Sequence, residues 1–164
     1  MKKIFFAFAA LVYAQASDAQ LKTTTAICPA FSVDVLEGIL NNAVTTKSTL
    51  GQVKNFFPCF TEVVEQPTAT KCGGIFYADK GIYFYNDRGY IEVRENFKGK
   101  LIPQLMGVSR GSLFKLLGYP KMKDVSWDAF QTKYGILILY YNKANKINKL
   151  QMSYKNTDNI KLCE

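Results

Sequence analysis

The feature that most restricts the folds open to this chain is a helix-then-strand pattern that occurs twice, with the helix starts sixty residues apart. Thr49-Leu50-Gly51-Gln52-Val53-Lys54-Asn55-Phe56-Phe57 and Ser109-Arg110-Gly111-Ser112-Leu113-Phe114-Lys115-Leu116-Leu117 read as short apolar helices, each opened by a hydroxyl residue suited to capping. Downstream of each stands a matching strand, Ile82-Tyr83-Phe84-Tyr85-Asn86 and Ile138-Leu139-Tyr140-Tyr141-Asn142. An Ile follows five residues after each Asn, at Ile91 and Ile147. The pattern predicts an α+β fold of two tandem repeats, each a short helix pair or single helix packed on an antiparallel β-meander sheet.

Local signals fill in the units. Ser32 is placed to cap a first helix in which Val33, Leu36, Ile39 and Leu40 recur at helical spacing, closed by Asn41 and Asn42. Val53, Phe56 and Phe57 share one face of the next helix, which Pro58 stops. Residues 62–71 read as a loop. Strands follow at 75–77, 82–85 and 90–93, with Gly81 and Gly89 supplying positive φ in the turns between them. Residues 97–107 form the joint. The second helix ends at Leu117-Gly118-Tyr119-Pro120, and strands are expected at 126–130, 136–142 and 146–154, with Lys143-Ala144-Asn145 as a turn.

Lys2 and Lys3 precede an apolar run from Ile4 to Ala14 and then small residues, the order of a secretory leader too short to span a bilayer. Cleavage after Ala19, or alternatively after Ala16, leaves no cysteine at the new terminus for a lipid anchor. Residues 1–19 are therefore read as a signal peptide, 20–97 as the first helix-plus-sheet repeat and 98–164 as the second, the two forming one module. The expected location is periplasmic or secreted. Taking Lys2, Lys3 and Asp18 from 21 basic and 13 acidic residues leaves 19 and 12, a formal charge of +7. In an oxidising compartment Cys28, Cys59, Cys72 and Cys163 are expected to pair. Of the three pairings open to four cysteines, Cys59 with Cys72 closes a local loop around Pro67 and leaves Cys28 with Cys163; this is the preferred one.

The run Gly107-x-Ser109-x-x-x-Leu113, then Leu117-Gly118-x-Pro120, Trp127, Leu139, Tyr140 and Ile147 resembles the helix-and-sheet unit of the small outer-membrane assembly lipoproteins of the SmpA/OmlA (BamE-like) type. Two such units in tandem, with a cysteine pair bridging the helix-to-sheet loop, are similar to the β-lactamase inhibitor protein family. The resemblance covers residues 45–154. The first copy departs from it, with Lys47 in place of the motif glycine and Phe56-Phe57-Pro58 in place of Leu-Gly-x-Pro. The resemblance implies a concave pair of sheets that grips an enzyme, with a hairpin Asp-Tyr pair entering the target's active site. Asp79, seven residues after Cys72, matches that Asp, and Lys80 stands where the Tyr would be.

Catalysis is not expected. The chain has no histidine, and paired cysteines leave no thiolate nucleophile. No CxxC spacing supports a metal, and no cofactor is implied. Gly107-Val108-Ser109-Arg110-Gly111 lacks the lysine of a phosphate loop, and Asp124 and Asp128 around Trp127 read as acidic turn residues rather than a carbohydrate site. Tyrosine is the better indicator of partners, since it joins a large apolar body to a polar tip. Tyr77, Asp79, Lys80, Tyr83, Tyr85, Tyr134 and Tyr141 are the candidate binding residues. The expected function is an exported, non-catalytic protein-binding module, an inhibitor or immunity-type protein acting on an enzyme or toxin through its sheet surface. The alternative is an envelope structural or outer-membrane assembly factor. Lys98, Lys100, Lys115, Lys121, Lys123, Lys143, Lys146 and Lys149 spread positive charge that suits an acidic partner or peripheral contact with an anionic envelope surface. Nucleic acid is not expected as a partner.

Overall fold

A computed structural model describes residues 27–68 and 71–163; the leader assigned to 1–19 lies outside the described residues. Three short strands, β1 (Ser32–Asp34), β2 (Ile39–Leu40) and β3 (Val44–Thr45), precede helix α1 (Leu50–Phe56) and a meander of β4 (Glu62–Val64), β5 (Gly74–Tyr77), β6 (Ile82–Tyr85) and β7 (Tyr90–Arg94). Then come β8 (Lys100–Ile102), a 3-10 turn (Arg110–Ser112), helix α2 (Phe114–Leu117) and a second meander of β9 (Met122–Lys123), β10 (Trp127–Gln131), β11 (Ile136–Tyr141) and β12 (Ile147–Ser153). The two meanders join through their last strands, β7 against β12, to give one antiparallel sheet in the order β4-β5-β6-β7-β12-β11-β10-β9. A smaller sheet, β3-β2-β1-β8, contains one parallel pair, β1 with β8. The fold is mixed α and β, dominated by antiparallel sheet, with two short helices among the described residues. Among the described residues no helix is long and apolar enough to cross a membrane.

The meanders follow from period-two patterning and tight turns. Ile82 and Phe84 are buried while Tyr83 and Tyr85 between them are half-buried on the opposite face. Gly81 and Gly89 take φ of 70° and 75° as expected, so the chain reverses after β5 and β6 without strain. Asn142 Oδ1 accepts from the amides of Ala144 and Lys146 and closes the β11–β12 turn.

α1 is fixed at both ends. Thr49 Oγ1 accepts from Gln52 N at 3.3 Å and Gln52 Oε1 accepts from Thr49 N at 2.8 Å, a capping box that satisfies two otherwise orphaned donors. Val53 and Phe57, one turn apart, are fully buried, and Phe56 turns outward. The second apolar segment is different: 109–117 splits into the 3-10 turn and the four residues of α2, and Ser109 makes no side-chain cap. Leu113 alone is buried there, and Gly118 in a positive-φ conformation ends the segment ahead of Pro120.

Four expectations are corrected. The helix read from Ser32 to Leu40 is a hairpin. Phe31, Val33 and Val35 alternate as buried residues, Asp34 Oδ1 accepts from Leu36 N and Glu37 N to start the turn, and Gly38, Asn41 and Asn42 adopt positive φ that no helix accommodates. Strand β4 lies inside the segment read as a loop, and β8 lies inside the joint. The cysteines pair as Cys28–Cys59 and Cys72–Cys163, with Cα separations of 5.6 and 6.1 Å, in place of Cys59–Cys72 and Cys28–Cys163. Packing explains this. Phe31 stacks on Phe57 with ring centroids 4.3 Å apart, which brings Cys28 to the end of α1, while the chain end returns to the sheet, where Cys163 N donates to Tyr90 Oη at 3.0 Å. Two disulfides fit an oxidising compartment.

One core runs under both meanders. The inner face of the large sheet contributes Ile75, Tyr77, Phe84, Val93, Leu137, Leu139, Leu150 and Met152, and α1 with the small sheet covers it through Val53, Phe57, Val33, Leu40 and Leu101. Among the described residues no helix lies over the opposite, outer face of the large sheet.

Candidate protein-binding face

Strand registers place one row of side chains across the outer face: Phe76, Tyr83, Glu92, Gln151, Ile138 and Ala129 are successive cross-strand partners from β5 to β10. A neighbouring row runs Arg94, Lys149, Tyr140 and Trp127, and another runs Tyr85, Tyr90, Ser153 and Ile136. These rows divide the face into two territories. Toward β5–β7 it is tyrosine and charge; toward β10 and β11 it is aliphatic.

The centre is a connected polar network. Gln151 Nε2 donates to Glu92 Oε2 at 2.7 Å, and Tyr140 Oη donates to Gln151 Oε1 at 2.8 Å. Arg94 Nε donates to Glu92 Oε1 at 2.6 Å, and Lys149 Nζ lies 3.8 Å from Glu92 Oε2. Glu92 is 3 % exposed and Gln151 1 % exposed, so both need these partners. Arg94 also lies 3.9 Å over the Tyr83 ring and Lys149 lies 4.0 Å over the Tyr140 ring. Burial opposes the charge of Arg94, but the hydrogen bond and charge of Glu92 outweigh it and raise its pKa. Burial, aided by the charge of Glu92, pushes the Tyr140 hydroxyl up to about 12. One carboxylate held by two cations leaves a net positive, ring-lined surface.

The sequence-predicted residues separate into three places. Tyr83 and Tyr85 lie half-buried on the outer face, Tyr85 stacked on Tyr90 at 4.6 Å. Asp79 and Lys80 form the 3-10 turn between β5 and β6, ion-paired to each other at 3.0 Å and open to solvent. Tyr77, Tyr134 and Tyr141 are not free surface. Tyr77 is in the core and donates to Phe57 O at 2.5 Å. Tyr141 is buried and donates to Asp128 Oδ2 at 2.8 Å. Tyr134 donates to Val35 O at 2.9 Å and lies flat against Gly38, where a Cβ would stand 2.6 Å from its ring. Strand alternation sends Tyr77 and Tyr141 inward, and Tyr134, in the bend between β10 and β11, is held by its contacts with Val35 and Gly38; all three rings are structural.

Asp128 and Arg110, weighed above as sugar and phosphate motifs, hold each other instead. Arg110 donates to both Asp128 carboxylate oxygens, at 2.9 and 2.5 Å, and to the carbonyls of Asp124 and Val125. The hydrogen bond to Asp128 is the main cause raising the Arg110 pKa. Among the described residues no cluster of acidic, Cys or His side chains could hold a metal ion.

Arg94, Gln151, Tyr140, Lys149 and the buried role of Glu92 were not visible as a group. A signal existed in the alternation of Tyr90, Glu92 and Arg94 with Ile91 and Val93, and of Lys149, Gln151 and Ser153 with Leu150 and Met152. Their meeting required the β7–β12 pairing, 59 residues apart for Glu92 and Gln151.

No family model matches the chain, and neither a curated protein nor a solved structure is significantly similar to it.

Proposed function

We propose that the protein is an exported, non-catalytic binding module of two tandem helix-plus-sheet units, 20–97 and 98–164, that blocks or neutralises an enzyme or toxin as an inhibitor or immunity protein does. The observation that carries this reading is the Tyr83–Arg94–Glu92 stack beside Tyr85 on the outer sheet face. Tyrosine and arginine dominate binding hot spots, and here they are immobilised before any partner arrives, which lowers the entropic cost of association. The net positive surface favours an acidic partner. The Asp79-Lys80 tip, beyond the same strands, serves as an accessory contact.

Two features support the tandem organisation. Each half runs helix, then a four-stranded meander, and the strand order reads the same from either edge of the sheet. The likeness of 107–147 to the envelope-lipoprotein unit supports it as well. An assembly-factor role draws on a separate observation, the exposed group Phe114, Leu116, Tyr119 and Val125 around α2, of which Tyr119 is 84 % and Val125 89 % exposed. Fractionation distinguishes the two. The inhibitor reading expects a stoichiometric soluble complex with one protein, retained by the Phe114→Ser, Leu116→Ser variant. Retention with outer-membrane complexes, lost in that variant, would overturn it.

A further inference from the structure

Beyond β12 the chain does not leave the sheet. Residues 155–163 cross the outer face, with Ile160 and Leu162 packed on Ala129, Ile136 and Ile138, the cluster that Trp127 and Tyr140 also pack against. The end is tied down by Cys72–Cys163, at the start of β5, far along the sheet from β10. A cleft of about 320 Å³ remains between this strap and the strands, walled by Met122, Trp127, Tyr140 and Thr157.

We propose that 155–163 is a redox-latched cover: while Cys72–Cys163 is closed it masks the aliphatic half of the outer face, and reduction of that bond releases it. The balance of forces supports this. The strap contains no strand, and its backbone reaches the sheet through Cys163 N to Tyr90 Oη, apart from Lys155 N to Ser153 Oγ at its root. Its other backbone hydrogen bonds close a local turn at Asn156. Two half-buried aliphatic side chains and one hydrogen bond to the sheet do not offset the backbone entropy of ordering nine residues. The covalent tie does, by denying the strap its free state.

Release needs a dithiol reductant. One of its thiolates attacks Cys163 Sγ, the half-buried sulfur, and expels the Cys72 thiolate, which takes a proton. The second thiol of the reductant then displaces Cys163 as a thiol, closing the reductant's own disulfide. Two electrons and two protons pass to the protein. The uncovered surface is continuous with the Tyr83–Tyr85 territory, so its effect on partners rests on the function proposed above; the release itself does not.

The chain has one tryptophan, Trp127, and it packs on the same small apolar cluster as Ile160 and Leu162 and shares the cleft with them. In the full-length oxidised protein we expect blue-shifted Trp127 emission and slow tryptic cleavage after Lys155. In Cys72→Ser/Cys163→Ser the emission shifts red, cleavage after Lys155 accelerates by about tenfold or more, and 8-anilinonaphthalene-1-sulfonate fluorescence rises. Cys28→Ser/Cys59→Ser changes none of these. Unchanged emission and cleavage in a folded Cys72→Ser/Cys163→Ser chain would overturn the proposal. Should that variant not fold, Ile160→Ser/Leu162→Ser with both disulfides intact decides: red-shifted emission with cooperative melting supports the cover, and unchanged emission overturns it. Partner binding by Tyr83→Ala/Tyr85→Ala is a separate readout, so failure of the functional reading leaves this result standing.

Discussion

The two helical segments began from similar sequences and are held by different forces. α1, whose end departs from the Leu-Gly-x-Pro pattern, is the better-formed helix: it has a capping box, two fully buried side chains and a tyrosine hydroxyl on the carbonyl of Phe57. The segment 110–117 keeps the pattern but has no side-chain cap, and it is docked by the Arg110–Asp128 pair with Tyr141 behind it. Phe114 and Leu116 face solvent as a consequence. A local motif specifies where a helix stops; how firmly it is held depends on what the rest of the fold places under it.

Alkaline pH should break both anchors at once and have the largest effect. Burial raises the pKa of Tyr77, and burial with the Asp128 hydrogen bond raises that of Tyr141. The unfolded chain releases these protons near pH 10 while the folded chain retains them, so stability is intact below pH 10 and drains as pH rises through 10 to 12. Thermal melts from pH 8 to 12 check this; a flat profile to pH 12 would contradict it. Phe57→Ala separates the anchors, with an expected loss of about 4 kcal/mol in denaturant unfolding from the cavity it leaves beside Phe31 and Tyr77. Asp128→Ala strikes the other segment, leaving Arg110 and Tyr141 Oη without their carboxylate, for a loss of about 3 kcal/mol. Thr49→Ala removes the cap alone and should cost about 1 kcal/mol, while the equivalent Ser109→Ala, with no cap to lose, should stay within about 0.5 kcal/mol.

The central strands were legible because their signals are local. Turn residues such as Gly81, Gly89 and Asn142 bracket runs that alternate, and β5, β6, β7, β10, β11 and β12 fall within a residue or two of expectation. The segment 32–40 was misread because Val33, Leu36 and Leu40 satisfy a helical period by chance, while Phe31, Val33 and Val35 carried the strand period that burial follows. The β1–β8 pair and both disulfides depend on contacts far apart in sequence, which no local pattern encodes. The same limit divides the candidate site. Tyr83 and Tyr85 were readable from alternation, whereas Glu92 with Gln151 and Tyr140 waited on the join between the two meanders.

The central claim, that the open tyrosine half of the outer face is the binding surface, is tested most directly by quantitative capture from envelope and secreted fractions of the source. Wild-type chain and Tyr83→Ala/Tyr85→Ala would be compared side by side, with melting temperatures measured in parallel. The account predicts one dominant partner, an affinity loss of about thirtyfold or more in the variant, and a melting temperature lowered by only a few degrees, about what two half-exposed substitutions allow. Equal capture by both proteins, with both folded, would contradict it.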